Sequence, residues 1–526
     1  MTGRHALVLA GAAAALLRGT AARAEPGDRN AGPWLDAGGL LPLTDAPELD
    51  DLQYRALTAH DHPHRRRVIL EEMGMIGLGA IQYWLDRKRA ITNFDYPSLR
   101  DRFTFKALRF DNNGFQINFI GHPLNGMSFH MVARANGMSL PGSILVAFAT
   151  SMTWEYGWEF REKVSINDVM VTTSAGTTLG EFVHWMGRYL ESAPDRRRWH
   201  RFARWTLGLP DALHGAIDHR TGLRAGTTPD ALGFSSDIWH RFELSAGLVR
   251  AQASGDAAPV GAADRVVAPD LRATAELVAL PGFLRAGHRG RTFGDANVTS
   301  LRFAMAVAPD VVAVDLDSDT FLAGIHSQSI DTRGGSATLI GIDLGYRFRH
   351  ERFGGFSDRI AQLHFPGLGI DHYVLGAGGA RWLRARARFN ADFAGVNAAA
   401  YPTWKATHVN DVDKTVLRKQ GYYYGWGAST RLDVEVHTRH VAAGIAFRYG
   451  RYDSHEGLDR NQEDVTNDVD AHDTTRDAEA WLRISPMAGR LYLEARASDL
   501  EREGRVGDQA SSQGLRRISF ALGMSL

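Results

Sequence analysis

Cysteine is absent from the 526 residues, which excludes structural disulfides, thiolate metal sites and a cysteine nucleophile, and leaves the redox compartment open. An excess of either charge is also missing, since Lys plus Arg equals Asp plus Glu at 60 each. Phosphate binding needs a clustered positive excess, so a nucleic-acid partner is excluded. The third absence is a long apolar run. No segment reaches the roughly 18 consecutive apolar residues of a spanning helix, which argues against an inner-membrane helical protein.

What is there begins with an export signal. Arg4 and His5 precede the apolar run Ala6 to Leu17, and Ala22-Arg23-Ala24 is a small-x-small cleavage site, so residues 1–24 read as a signal peptide. Residues 25–67 read as a flexible leader rich in Gly, Pro, Asp and Asn, ending in His60, His62 and His64. Three histidines could chelate a transition metal, but Pro63 disturbs regular geometry and a solvated linker is the plainer reading.

From about residue 241 to 526 the chain alternates apolar and polar residues over long stretches, as strands do with lipid on one face and a lumen on the other. Tyr422, Tyr424, Trp426, Ala428, Thr430, Leu432, Val434 and Val436 form one apolar stripe, and Ala443, Ile445, Phe447 and Tyr449 continue it after a turn at His437 to His440. Leu383, Ala385, Ala387 and Phe389 alternate with Arg384, Arg386 and Arg388. Three arginines on one face must point at the lumen, because each costs roughly 2 to 4 kcal/mol at the lipid midplane. Short turns on one side, long polar segments at 353–369, 397–419, 452–474 and 501–513, and a final strand Ile518 to Leu526 complete the pattern. The expected fold class is α+β: an N-terminal helical domain followed by an antiparallel transmembrane β-barrel of about 12 strands. Charged residues fill its lumen, so a general porin is not expected.

The helical part is expected at 68–195, with a linker and further helical segment at 196–240. Val68 to Arg87 forms an apolar helix whose Gly74, Gly77 and Gly79 suggest close packing. Further on come Asn118-x-x-x-His122-Pro-x-x-Gly126, then Trp154-Glu155-x-x-x-Glu159, then Ser165-x-x-Asp168, then Gly176-x-x-x-Gly180-Glu181. Glu155 and Glu159, four residues apart, share a helix face, and carboxylates among Trp154, Tyr156, Trp158 and Phe160 are costly to bury unless paired or functional. Ser165 and Asp168 resemble a capping box. Gly176 and Gly180 form a small-xxx-small face for a close helix neighbour. Glu181 and His184 make one Glu-x-x-His pair, where a di-metal carboxylate bundle needs two.

This ordered series resembles a family of uncharacterised outer-membrane proteins defined by a domain of unknown function, over roughly residues 70–190. The resemblance implies an outer-membrane protein and carries no activity with it. Two functions follow as expectations. One is a structural or transport role in the cell envelope of a Gram-negative bacterium, with the helical domain plugging the barrel or docked beneath it in the periplasm. The other is a lipid-modifying hydrolase or acyltransferase in which His122, His130, Glu155, Glu159, Asp168 and Glu181 converge, a histidine acting as general base and a carboxylate orienting it. No Gly-x-Ser-x-Gly elbow accompanies them. Expected partners are outer-membrane lipid, the barrel assembly machinery and a small-molecule or lipid ligand; the residues specify no cofactor or metal.

Overall fold

A computed structural model describes residues 47–59, 63–85, 97–111, 113–193, 198–218, 230, 232–256, 265–379, 381–418, 420–454, 465, 469–486 and 490–526. The expected signal peptide, most of the leader, His60 and His62 lie outside the described residues. Among the described residues, eight α-helices precede the barrel: α1 (Pro47–Leu57), α2 (Arg65–Leu85), α3 (Leu99–Phe103), α4 (His122–Ala135), α5 (Leu140–Thr153), α6 (Ile166–Glu191), α7 (Arg198–Leu207) and α8 (Leu209–Ile217). Local chemistry sets their starts. The Ser139 hydroxyl caps α5 by accepting the Gly142 N–H, with Pro141 in the first turn, and Pro123 occupies the first turn of α4. Two short strands, β1 (Leu108–Arg109) and β2 (Val164–Ser165), pair in parallel and tie the segment before α4 to the start of α6.

The barrel strands are β3 (Trp239–Gly255), β4 (Arg265–Val278), β5 (Gly287–Phe293), β6 (Val298–Ala308), β7 (Val311–Asp331), β8 (Gly334–Phe353), β9 (Phe356–Leu375), β10 (Trp382–Asn397), β11 (Tyr422–His437), β12 (Val441–Ser454), β13 (Ala471–Ile484), β14 (Leu491–Val506) and β15 (Gln509–Ser525). All pairings among them are antiparallel, β15 meets β3, and β7 pairs with both β6 and β8, so the sheet closes on itself. β5 and β6 pair with successive stretches of β7, Gly324–Ile330 and Val311–Phe321, and so share one place in the ring. The closed barrel therefore has twelve places. The break between β5 and β6 holds Ala296 at φ 53°, whose N–H donates to the Leu322 carbonyl.

Alternation assigns the faces. Inward residues form an ion-pair lattice that crosses the lumen: Arg384 Nη1 to Glu276 at 2.7 Å, Arg241 Nη1 to Glu435 at 2.8 Å, Arg502 Nη1 to Asp358 at 2.7 Å and Arg448 Nη2 to Asp317 at 2.7 Å. Each pair joins strands well apart in the ring order β7-β6-β4-β3-β15-β14-β13-β12-β11-β10-β9-β8. One end of the lumen is packed with apolar side chains, among them Val396, Tyr452 and Val506 against Trp404 of a short helix, α9 (Tyr401–Thr407), and Val249, Phe356, Leu500 and Leu515 beside them. Outward residues of β12 to β15, including Ile445, Phe447, Leu482, Leu493, Phe520 and Leu522, stay exposed and form an apolar belt, the surface of a barrel that stands in lipid.

Several expectations are corrected. Residues 353–369 and 501–513 are mostly strand, not outer loop. They escape a period-two reading where both faces are polar: Glu501 and Glu503 are exposed on one face while Arg502 is buried on the other. After β4 ends at Val278, Leu280, Phe283 and Leu284 join a buried cluster with Phe321 and Tyr373. Gly74 and Gly77 have no close neighbour, and only Gly79 lies against another helical element, at Trp154.

The largest correction concerns the helical part, which is neither a plug nor a periplasmic cap. It packs on the outer wall. The wall residues it covers, Tyr346, Phe348, Leu363, Phe393, Tyr422 and Tyr424, alternate with the lumenal Arg347, Arg349, Gln362, Asp392 and Tyr423. The lumen had no room, because its own charged side chains already fill it.

Candidate functional site: the polar seam between helices and barrel wall

Seven wall residues in direct register across seven strands form one row: Phe242, Ala275, Leu301, Ser318, Tyr346, Leu363 and Phe393. At about 4.8 Å per strand the row runs roughly 29 Å. The 26 residues of α6 extend about 39 Å. The helix lies along this row: the Tyr189 ring meets Phe242 edge to face, Thr178 shares a hydrogen bond with Ser318 at 3.1 Å, and Val171, Ala175 and Leu179 pack with Tyr346, Leu363 and Phe393. Strands tilted by roughly 35–45° turn a row perpendicular to them into a descending path, so α6 runs from the rim near Tyr424 to the opposite rim near Phe242.

On the far side of α6, α4 crosses at backbone contact. A Cβ on Gly126 would lie 1.7 Å from the Thr172 carbonyl oxygen, and one on Gly176 would lie 2.3 Å from the Gly126 carbonyl carbon. Gly180 meets the His130 ring in the same way, at 2.8 Å. The small-xxx-small face thus does what its spacing suggested.

That close crossing creates two polar clusters, and the six candidate residues divide between them. In the first, Arg134 bridges helix and wall. Its Nε lies 2.8 Å from Glu181 Oε1, its Nη2 donates to Glu181 Oε2 at 3.1 Å, and its Nη1 donates to Asp295 Oδ1 at 3.0 Å, in the break between β5 and β6. The His130 ring shares a hydrogen bond with the same Glu181. His130, Arg134 and Glu181 are wholly buried. His184, one turn beyond Glu181, points away to Asp211 at 3.6 Å, so the Glu-x-x-His pair does not converge.

The second cluster gathers the other four near the opposite rim. Asp111 Oδ1 accepts from Asn118 Nδ2 at 2.9 Å and from Asn167 Nδ2 at 3.0 Å, and these amides also reach the Tyr422 and Tyr424 hydroxyls on the wall. Asp168 Oδ1 accepts from Asn167, and Asp168 Oδ2 lies 3.4 Å from His122 Nε2. Glu155, in a π turn after α5, accepts the Ser165 N–H at 2.9 Å. That bond replaces the expected capping box, in which the Ser165 side chain would have capped the helix and here does not. Arg102 donates to the Glu155 and Glu162 carbonyls, and Arg109 pairs with Glu162 at 2.8 Å. Burial, then the neighbouring Glu159, raises the Glu155 carboxyl well above its usual range; burial, then Glu162, lifts Glu159 to about 8. Burial lowers the His122 imidazole, which favours its neutral form.

Chemically, His122 and Asp168 have the arrangement of a base and its orienter. Among the described residues no hydroxyl is hydrogen-bonded to His122 or His130, and no group of three or more His, Asp or Glu could hold a metal ion. Arg134, Asp111, Asn167, Asp295, Tyr422 and Tyr424 were missed in the sequence. Asp295, Tyr422 and Tyr424 belong to barrel strands and their breaks, far along the chain, and nothing local marks them.

Residues 107–209 match the model of a domain of unknown function, DUF3943, the stretch that holds α4, α5, α6 and all six candidate residues. A search of curated proteins found no match. Among solved structures the chain is similar to an anion-selective porin from Comamonas acidovorans (9% identity, 55% of this chain and 100% of that one, TM-score 0.19). It is similar also to a FadL homologue from Pseudomonas aeruginosa (8%, 56% and 90%, 0.19) and to the translocator domain of the autotransporter NalP from Neisseria meningitidis (10%, 54% and 88%, 0.19). Scores this low are far below those of chains that share one arrangement.

Proposed function

We propose that this protein is a bacterial outer-membrane β-barrel that serves the envelope as a structural scaffold at the lipid interface, and that it is not a diffusion pore. The observation that carries this reading is the lumen itself. Ion pairs cross it from strand to distant strand, and a cavity left between them measures only about 160 Å³, lined by Arg241, Arg302, Arg386, Glu276, Asp433 and Glu479 among others. Such a lattice holds the wall in shape and obstructs free passage. A further set of buried polar contacts lies between helices and wall, which fits a body built to present the helical bundle in the membrane.

The test is conductance. Purified protein reconstituted in planar bilayers is expected to give no steady large-conductance steps, while the Arg384→Ala/Arg386→Ala double variant, which removes two guanidinium groups from the cavity wall, opens measurable ones. Wide-pore conductance from the unaltered protein would overturn the scaffold reading.

A second reading rests on the half-buried His122 beside Asp168: a lipid-modifying enzyme in which His122 activates a hydroxyl supplied by substrate or water. His122→Ala that folds normally but changes the lipid composition of the outer membrane would favour it.

A further inference from the structure

We propose that the outer face of the helical bundle, formed by α2 and α5, is itself a lipid surface, packed by the acyl chains of the bilayer around the barrel. The inference rests on reading the barrel as a membrane protein, and extends that reading from the strands to the helices packed on them.

Three observations converge. The first is position. The strand residues next to the row covered by α6 are exposed and apolar: Ile340 and Ile342 on β8, Leu368 on β9 and Phe389 on β10. The bundle therefore interrupts the apolar belt at the level of the belt, and lipid that meets those strands must also meet the helices beside them.

The second is composition. α5 (Leu140-Pro-Gly-Ser-Ile-Leu-Val-Ala-Phe-Ala-Thr-Ser-Met-Thr153) carries no charged residue, and its Leu145 and Phe148 point away from the protein, Leu145 at 64% exposure. On α2, Ile69, Leu70, Leu78, Ile81 and Leu85 are exposed, Leu70 at 73%.

The third is the direction of the charges. Beyond Arg67, the only charged residues of α2 are Glu71 and Glu72. Both turn inward: Glu72 Oε2 accepts from Thr150 of α5 at 3.1 Å, and Glu71 accepts from Asn136 at 2.8 Å and meets His214 at 3.1 Å. A helix bathed in water buries its apolar stripe and exposes its charges. α2 does the reverse over most of its length. Arg65 and Arg66, at its start, are exposed where a headgroup phosphate would lie.

The absence of cysteine makes the test direct. Single-cysteine variants Leu70→Cys, Leu145→Cys and Phe148→Cys are labelled with a small fluorophore and reconstituted in phosphatidylcholine vesicles with or without brominated acyl chains. Phe520→Cys, on the belt, and Arg333→Cys, in a turn, set the quenched and unquenched limits. Boiling-dependent gel migration confirms a folded barrel in each, and three bundle sites guard against one variant failing to fold. The expected result is loss of fluorescence at the bundle sites equal to that at position 520. Unquenched bundle sites beside a quenched position 520 would overturn the inference alone, whether water or a second copy of the chain covers the face. An unquenched position 520 would overturn the membrane reading with it.

Discussion

Arg134 is the residue whose loss most directly tests how the helices are held to the wall. Its guanidinium serves two carboxylates at once, Glu181 on α6 and Asp295 in the strand break, at 2.8 to 3.1 Å and without solvent access. Arg134→Met keeps the volume of the stem and removes the charge, leaving Glu181 facing His130. Removing one member of a buried ion pair costs about 3–5 kcal/mol, because the remaining charge stays buried. At about 1.4 kcal/mol per factor of ten, the ratio of detached to docked bundle should rise by roughly two to four orders of magnitude. The assay is urea titration read by protease cleavage within the bundle, with unboiled gel migration showing that the barrel remains closed. For a slope of about 1.5 kcal/mol/M the midpoint of bundle detachment falls by roughly 2 to 3 M. The Arg134→Met/Glu181→Gln variant recovers part of this loss, since the stranded carboxylate is gone. An Arg134→Met midpoint equal to that of the parent protein would refute the reasoning, as it would show that the network contributes nothing to docking.

Three further outcomes are expected. Gly176→Val sets a side chain against the Gly126 backbone, which a Cβ alone would approach to 2.3 Å, and should lower the same midpoint at least as much as the 1–3 kcal/mol typical of overpacking. The π turn should respond to pH. Glu155 and Glu159 bind protons more tightly folded than unfolded, so their contribution to docking is complete below the unfolded carboxyl value of 4.5; the Glu159 part is lost as pH rises through about 8, and the Glu155 carboxyl, also raised by burial and by Glu159, adds in the same direction. Protease protection of the bundle should therefore weaken between pH 5 and 8.5 by the same assay, and Glu159→Gln should flatten the dependence; a bundle more protected at high pH would contradict it. Asn167→Leu removes donors from Asp111, Asp168 and Tyr424 together, and should loosen the rim end of α6 to protease while leaving barrel migration unchanged.

The barrel was legible because lipid imposes a rule on every second residue. Wherever a strand crosses the belt, as at Leu432 to Val436 or Leu491 to Ala497, that rule shows. Where a strand leaves the belt, as at Glu501 to Glu503, both faces turn polar and the signal disappears. The motif residues Asn118, Glu155, Asp168 and Gly176 lie in the buried seam between helices and wall, where carboxylates among aromatics find polar partners. Its division into two clusters was not legible, because the partners come from distant chain: Asp295 from a strand break, Tyr422 and Tyr424 from β11. Those two tyrosines also explain why the docking site was misplaced. They alternate like lipid-facing residues, and on sequence alone a wall position covered by a helix looks the same as one covered by an acyl chain.

Disulfide trapping tests the position of α6 most directly. The hydroxyls of Thr178 and Ser318 stand 3.1 Å apart, Ser318 faces outward, and its neighbour Asp319 faces the lumen, where it meets Arg431 at 3.0 Å. In the cysteine-free background, Thr178→Cys/Ser318→Cys should oxidise to a cross-link seen as a changed migration of the denatured, non-reduced chain, and Thr178→Cys/Asp319→Cys should not. Cross-linking of the 178–319 pair with none for 178–318 would place the helix inside the barrel and contradict the wall-mounted arrangement.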